Sequence, residues 1–226
     1  MKLESYLAAL GSLEEQRRLD IISNNIANSN TPGFKKDSLY FNNVMDQFTH
    51  TTMTQGQIRD TGEKLDVALS GDGFLSIQTD HGVAYTRAGN LTVNNAKQLV
   101  THDGWPVLGK SGPIKVNDPT KFSVNQEGQV FDGPDQVDQL ALASFPSNVK
   151  LQKNQNGYFQ PQTPESQPTK PESCQVRQGA LEGANFNAVE EMVRLVDTMR
   201  NFETYQKSMQ ICDSNLDTQV ISKLSG

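Results

Sequence analysis

The chain is poor in cysteine, in aromatic residues and in long apolar runs. Its 226 residues hold two cysteines, Cys174 and Cys212, and one tryptophan, with aromatic residues at 7% and hydrophobic residues at 35%. Two isolated cysteines exclude a disulfide framework and a Cys-x-x-Cys metal or redox pair. Their spacing alone does not decide whether they meet. No stretch nears the ~20 apolar residues of a membrane-spanning helix, and the mean hydropathy of -0.57 is that of a polar chain, so no membrane insertion is expected. The amino terminus lacks the basic, apolar and small-residue succession of a cleavable signal peptide, so export would need another route. Basic runs are also lacking. The 20 Lys and Arg stand against 26 Asp and Glu, for a net charge of -6, and a phosphate backbone finds nothing to bind, which excludes nucleic acid as a partner.

Catalytic signatures are equally thin. Gly104-Trp105-Pro106-Val107-Leu108-Gly109-Lys110-Ser111 fits the phosphate-loop pattern in form. A working loop needs free backbone amides and a helix starting at its lysine. Here Pro106 removes one amide, Gly112-Pro113 breaks any helix, and a strand is expected at Ile114-Val116. Asp213, Asn215 and Asp217 open like a calcium loop, but Thr218 and Leu224 replace its glycine and its final glutamate. His50, His81 and His102 show no ligand spacing. There is neither a Gly-x-Ser-x-Gly nor a Cys beside a His. Glu14-Glu15 and Glu190-Glu191 fall on predicted helices, where solvated charge is the expectation. No catalytic residue, cofactor or metal is expected, and the chain reads as a non-enzyme.

What the chain does have is amide and periodicity. Eighteen Asn and 20 Gln suit surfaces that hydrogen-bond to neighbours without desolvating charge. Leu3, Leu7, Leu10 and Ile21 mark a narrow apolar stripe on a helix over 3–28, stopped by Asn30-Thr31-Pro32-Gly33. Leu195, Phe202, Met209 and Leu216 recur every seven residues, with Val189, Met192, Val196, Met199 and Val220 on neighbouring rows. They predict one helix over 187–223, capped by Asn187.

Between the helices, short alternating runs broken by Gly, Asn and Asp-Gly turns read as β structure. The fold class expected is α+β: a central all-β domain, sandwich- or barrel-like, with long N- and C-terminal helices that pair into a coiled-coil-like core. The boundaries are helix 1–30, connector 31–62, β domain 63–160, a proline-marked return connector 161–186, and helix 187–226. Pairing would leave helix faces for neighbouring copies to cover.

Several segments together resemble the bacterial flagellar rod and hook family. Asn24-Asn25-Ile26-Ala27-Asn28 with Asn30-Thr31-Pro32-Gly33-Phe34-Lys35 is similar to its amino-terminal signature. In family order follow Thr54-Gln55-Gly56, Leu65-Asp66-Val67-Ala68-Leu69, Gly71-Asp72-Gly73-Phe74 and Tyr85-Thr86-Arg87-Ala88-Gly89-Asn90-Leu91. Gly179-Ala180-Leu181-Glu182, Glu191-Met192-Val193 and Arg200-Asn201-Phe202-Glu203 resemble its carboxyl-terminal helix region. The Gly104–Ile114 stretch looks more like a proximal-rod than a distal-rod member.

The resemblance implies a structural subunit of the basal-body rod, assembling helically with itself and with other axial proteins to carry torque. It would be passed by the flagellar export apparatus and reside in the basal body. Assembly residues would be Asn24, Asn25, Asn28, Thr31, Pro32, Gly33 and Phe34 at the first helix end, and Met192, Leu195, Val196, Met199, Phe202, Met209 and Leu216 on the second helix. Gly71, Gly73, Phe74, Tyr85, Arg87, Gly89 and Asn90 would form turns and core of the β domain. A distal-rod or hook subunit of the same family, a phosphate-loop NTPase and a carbohydrate-binding β module are the alternatives.

Overall fold

The computed structural model describes residues 3–41, 47–146, 149–154, 156–162, 168–171 and 173–224. It is α+β, with helices at the two ends and a β-rich middle. The chain divides into two units. One is built from Met1–Ser29, Asp37–Thr52 and Asn187–Gly226, the other from Asn30–Lys36 and Met53–Phe186.

The helical unit holds α1 (Leu3–Ala27) and α2 (Ala188–Leu224), within one residue of the sequence expectation at each end. α1 stops because Asn28 turns its amide and its side-chain Nδ2 back onto the carbonyls of the last turn, Nδ2 to Asn24 at 2.9 Å, before Pro32 enforces extended backbone. α2 starts where the Asn187 side chain accepts the Val189 amide at 3.0 Å, an N-cap bond. The two helices pack antiparallel: Asn25 reaches Glu191, and fourteen residues back along α1 the Tyr205 ring lies on Gly11. A methyl group at Gly11 would stand 2.5 Å from Cε1 of that ring. The unit is completed by an antiparallel pair of strands, Asp37–Phe41 and Gln47–Thr51. These lie in the stretch read from sequence as connector, which also carries the strand Ile58–Asp60.

The β unit contains small antiparallel sheets. The largest orders its strands Leu142–Ala143, Phe74–Thr79, Gly82–Thr86, Phe159–Pro161 and Leu151–Lys153. Its main core is aliphatic, including Leu69, Leu75, Ile77, Leu99, Val107 and Ile114, all at most 1% exposed. Each such side chain contributes roughly 1.5–3 kcal/mol of burial. The phosphate-loop lookalike is β structure, with Leu108–Gly109 folding onto Gly112–Pro113. No helix begins at Lys110. Asp213, Asn215 and Asp217 lie on α2. Of the prolines marking the return path, Pro161 ends a strand and Pro164 falls outside the described residues.

One turn is used three times. Hairpins at Asn94, Asn125 and Asn154 each pair the Asn backbone with the residue four positions on, while the Asn side chain accepts that residue's amide at 2.8–2.9 Å. The amide richness thus serves internal turns as well as surface. Such turns need a left-handed residue just before they close. Gly128 and Gly157 supply it at φ +78° and +79°, but the third turn has Lys97 at φ +60°. A side chain there costs about 1–2 kcal/mol, and glycine's extra chain entropy takes back about 0.5–1 kcal/mol of the relief. Lys97→Gly is therefore expected to stabilise the β unit by about 0.5–1 kcal/mol in urea unfolding followed by Trp105 fluorescence. Unchanged or lower stability would refute the turn analysis.

Candidate functional site

The most unusual chemistry of the β unit is a charged cluster sealed inside it. Lys35 and Glu182 have fully buried side chains and pair at 2.7 Å, with Arg87, 3% exposed, on the other oxygen at 3.3 Å. Every partner is placed by backbone as well as charge. Lys35 Nζ also donates to the Thr54 carbonyl at 2.7 Å, and the Gly56 amide donates to Glu182 Oε1 at 2.7 Å. Arg87 Nη2 donates to the Gly71 carbonyl at 2.8 Å, and its guanidinium lies 5.3 Å from the centre of the Phe74 ring. Burial holds the Lys35 ammonium below the usual lysine range, and the Glu182 carboxylate opposes that shift. Two buried cations around one carboxylate form a lock.

Around the lock, the incoming and outgoing segments lie side by side. The Gly33 amide donates to the Glu182 carbonyl at 2.7 Å, Lys36 N–H to Asn185 Oδ1 at 2.8 Å, and Asn185 N–H to the Phe34 carbonyl at 3.3 Å. Phe34 meets Phe186 edge-on at 6.1 Å, and Lys153 sits 3.7 Å above the Phe34 ring while donating to the Lys35 carbonyl. Gly33 is required twice over. Its φ is +68°, and a Cβ would enter the Arg87–Ala88 backbone. Gly89 has the same constraint against the Val67 carbonyl.

The helical unit has its own polar knot. Asn25, with no exposed surface, exchanges two hydrogen bonds with the Asp37 backbone at 2.9 and 3.1 Å and reaches Glu191 Oε2 at 3.5 Å. Glu191, 2% exposed, also accepts from Arg194 at 3.1 Å. The helix pair buries several polar side chains and leaves several apolar ones exposed. Ser5, Glu15, Asn25, Glu191 and Thr198 are buried, whereas Leu7, Leu10 and Leu13 of α1 and Val189, Val193, Val196 and Met199 of α2 are 40–66% exposed.

The residues expected as sites divide accordingly. Asn24 and Thr31 are exposed, Asn28 and Pro32 half-buried, and Asn25, Gly33 and Phe34 buried. On α2, Met192, Val196 and Met199 face solvent, and Leu195, Phe202 and Met209 are half-buried. The Leu216 side chain lies outside the described residues. In the β unit Phe74, Tyr85, Arg87 and Gly89 are buried, Gly71 is a left-handed turn at φ +97°, Gly73 packs on Cys174, and Asn90 bridges to Asp66. Cys174 and Cys212 are both free thiols. Two expectations are corrected. Glu15 and Glu191 are buried in the helix pair rather than solvated, and Leu7 and Leu10 of the expected pairing stripe are exposed while Ser5, Glu15 and Asn25 are buried. Sequence reasoning did not single out Lys35 and Glu182. The available signal was one opposite charge in each of two distant motif blocks.

Comparison with known proteins adds the context. Residues 12–35 match the family described as flagella basal body rod protein. Residues 68–131 match the flagellar hook protein FlgE/F/G D1 domain, and 177–222 the flagellar basal body rod FlgEFG protein C-terminal region. Among curated proteins, the chain is 30% identical over its full length to 99% of the flagellar basal-body rod protein FlgF of Rhizobium meliloti. It is 31% identical to FlgF of Caulobacter vibrioides, covering 90% and 91% of the two chains. The flagellar basal-body rod protein FlgG of Bacillus subtilis is 29% identical, covering 95% and 97%. Each matched segment contributes one charge to the buried cluster: Lys35, Arg87 and Glu182.

Glu182→Gln removes the negative charge bonded to two buried cations. It is expected to cost the β unit about 3–5 kcal/mol, read by urea unfolding at Trp105. A loss under about 1 kcal/mol would show that the cluster is not a lock.

Proposed function

The chain belongs to the flagellar basal-body rod protein family, and we infer from that membership that it is a structural subunit of the basal-body rod. Its work is mechanical. The observation that carries the reading is the helix pair, which leaves a run of leucines, valines and methionines exposed on its surface. Apolar rows of that extent call for cover, and in a rod the cover is the same rows on neighbouring subunits. Repeated heterologous contacts that do not close on themselves build a helical tube.

Within the pair, Glu191, Leu195, Thr198, Phe202, Met209 and Cys212, buried or half-buried on α2, follow a spacing of threes, fours and one seven. That spacing supports a coiled-coil-like seam. The β unit, with its aliphatic core and several small sheets, is a barrel-like module. The proximal rod is the position we favour, on the resemblance of Gly104–Ile114. Its partners would be copies of itself and other axial proteins, with the flagellar export apparatus as its route. The buried cluster holds charge for structure and supports no catalysis.

Val196→Asp combined with Met199→Asp places two charges on the outer face of α2 and leaves the inner seam untouched. The purified variant should match the wild type in circular dichroism and in unfolding of the β unit. In the producing bacterium it should abolish swimming and be missing from purified hook-basal bodies by quantitative peptide mass spectrometry. Normal motility with full incorporation would overturn the reading.

A further inference from the structure

We propose that Glu15 is a proton-operated switch on the pairing of α1 with α2. Its side chain is 6% exposed, inside the helical unit. Oε1 takes a long bond from Arg18 at 3.4 Å, and Oε2 is sealed from solvent with no hydrogen-bond partner among the described residues. A buried carboxylate oxygen without a donor is costly while charged and tolerable once it holds a proton. No donor from another molecule reaches a sealed atom; a proton does.

The surroundings leave the choice to that proton. On α1 the charged neighbours are Arg18 and Glu14, which act in opposite senses. The register set by Asn25 on Glu191 and Gly11 on Tyr205 puts Glu15 level with the α2 turn of Thr198 and Phe202. Neither of those is ionisable, and Asp197, Arg200 and Glu203 around that turn are exposed. From the strand pair, Asp37 is engaged by Asn25 and Thr51, ten residues along α1 from Glu15, and His50 packs on Tyr40.

Burial pushes the Glu15 carboxyl above its ordinary range, Arg18 pulls it down and Glu14 raises it further. The paired state therefore binds the proton more tightly than the open chain does. Pairing is tightest below the ordinary carboxylate range and weakens as pH rises through the raised value. Above that raised value the charged carboxylate opposes closure of the seam, so the pair opens more readily there than below it. This concerns a single dissolved chain and does not depend on assembly, so its failure would leave the rod assignment standing.

Hydrogen exchange with mass spectrometry on the dilute full chain tests it, at pH 5 and pH 7 with intrinsic rates corrected. Peptides of α1 in the wild type should be several-fold better protected at pH 5. Glu15→Gln keeps the shape and removes the charge. It should bring protection at pH 7 up to the wild-type pH 5 level and abolish the difference, while Glu14→Gln, on a more exposed side chain, should retain it. The proposal falls if the wild type shows no pH difference, if Glu15→Gln keeps it, or if that variant loses protection at both pH values.

Discussion

One buried carboxylate organises the β unit. Glu182 sits where water cannot reach, and the desolvation it suffers is offset only because Lys35, Arg87 and the Gly56 amide all close on it. That condition fixes three chain segments, 52 and 95 residues apart in succession, because a missing partner would leave an uncompensated charge in the interior. The glycines around it follow. Gly33 must let the chain run against the Arg87 backbone, and Gly71 must offer its carbonyl to the guanidinium. The arrangement selects one geometry sharply, whatever its net contribution to stability.

The helical unit reverses the usual order. Its interior sets directional polar contacts, above all Asn25 acting as a substitute strand partner for Asp37, among half-buried apolar groups such as Leu195 and Phe202, and a second set of hydrophobic groups is left exposed. Polar seams set register with little affinity, while apolar faces give affinity with little direction. A subunit made this way has internal register and saves its undirected attraction for neighbours. The β unit, with an aliphatic core of its own, does not share that dependence.

The sequence was most legible where the signal was local. Both helix ends were readable because Pro32, Asn187 and the seven-residue spacing act on adjacent backbone. The phosphate-loop lookalike could be set aside because Pro106 and Gly112-Pro113 deny it amides and a helix. Which residues of a helix are buried was not legible. Leu7 and Leu10 look like a buried stripe until Ser5, Glu15 and Asn25 are found in the seam instead. Nor was the lock, since Lys35 and Glu182 are 147 residues apart and a lysine beside a phenylalanine looks like any surface lysine. The repeated Asn turns show the intermediate case, where Asn and Gly spell the turn at 125 and 154 and Lys97 hides it at 94.

The chain re-enters the β unit at Met53 and leaves it at Phe186, and there Asn185 Nδ2 donates to the Thr54 carbonyl at 3.1 Å, which makes the β unit a cartridge. Its entrance and exit are neighbours, so its interior length is invisible to whatever lies beyond them. Evolution, or a protein engineer, can enlarge, trim or replace what lies between Thr54 and Asn185 while leaving the helices and the Asp37–Thr52 strands that complete their unit unaltered. One shared helical unit can thus be joined to β units of very different size.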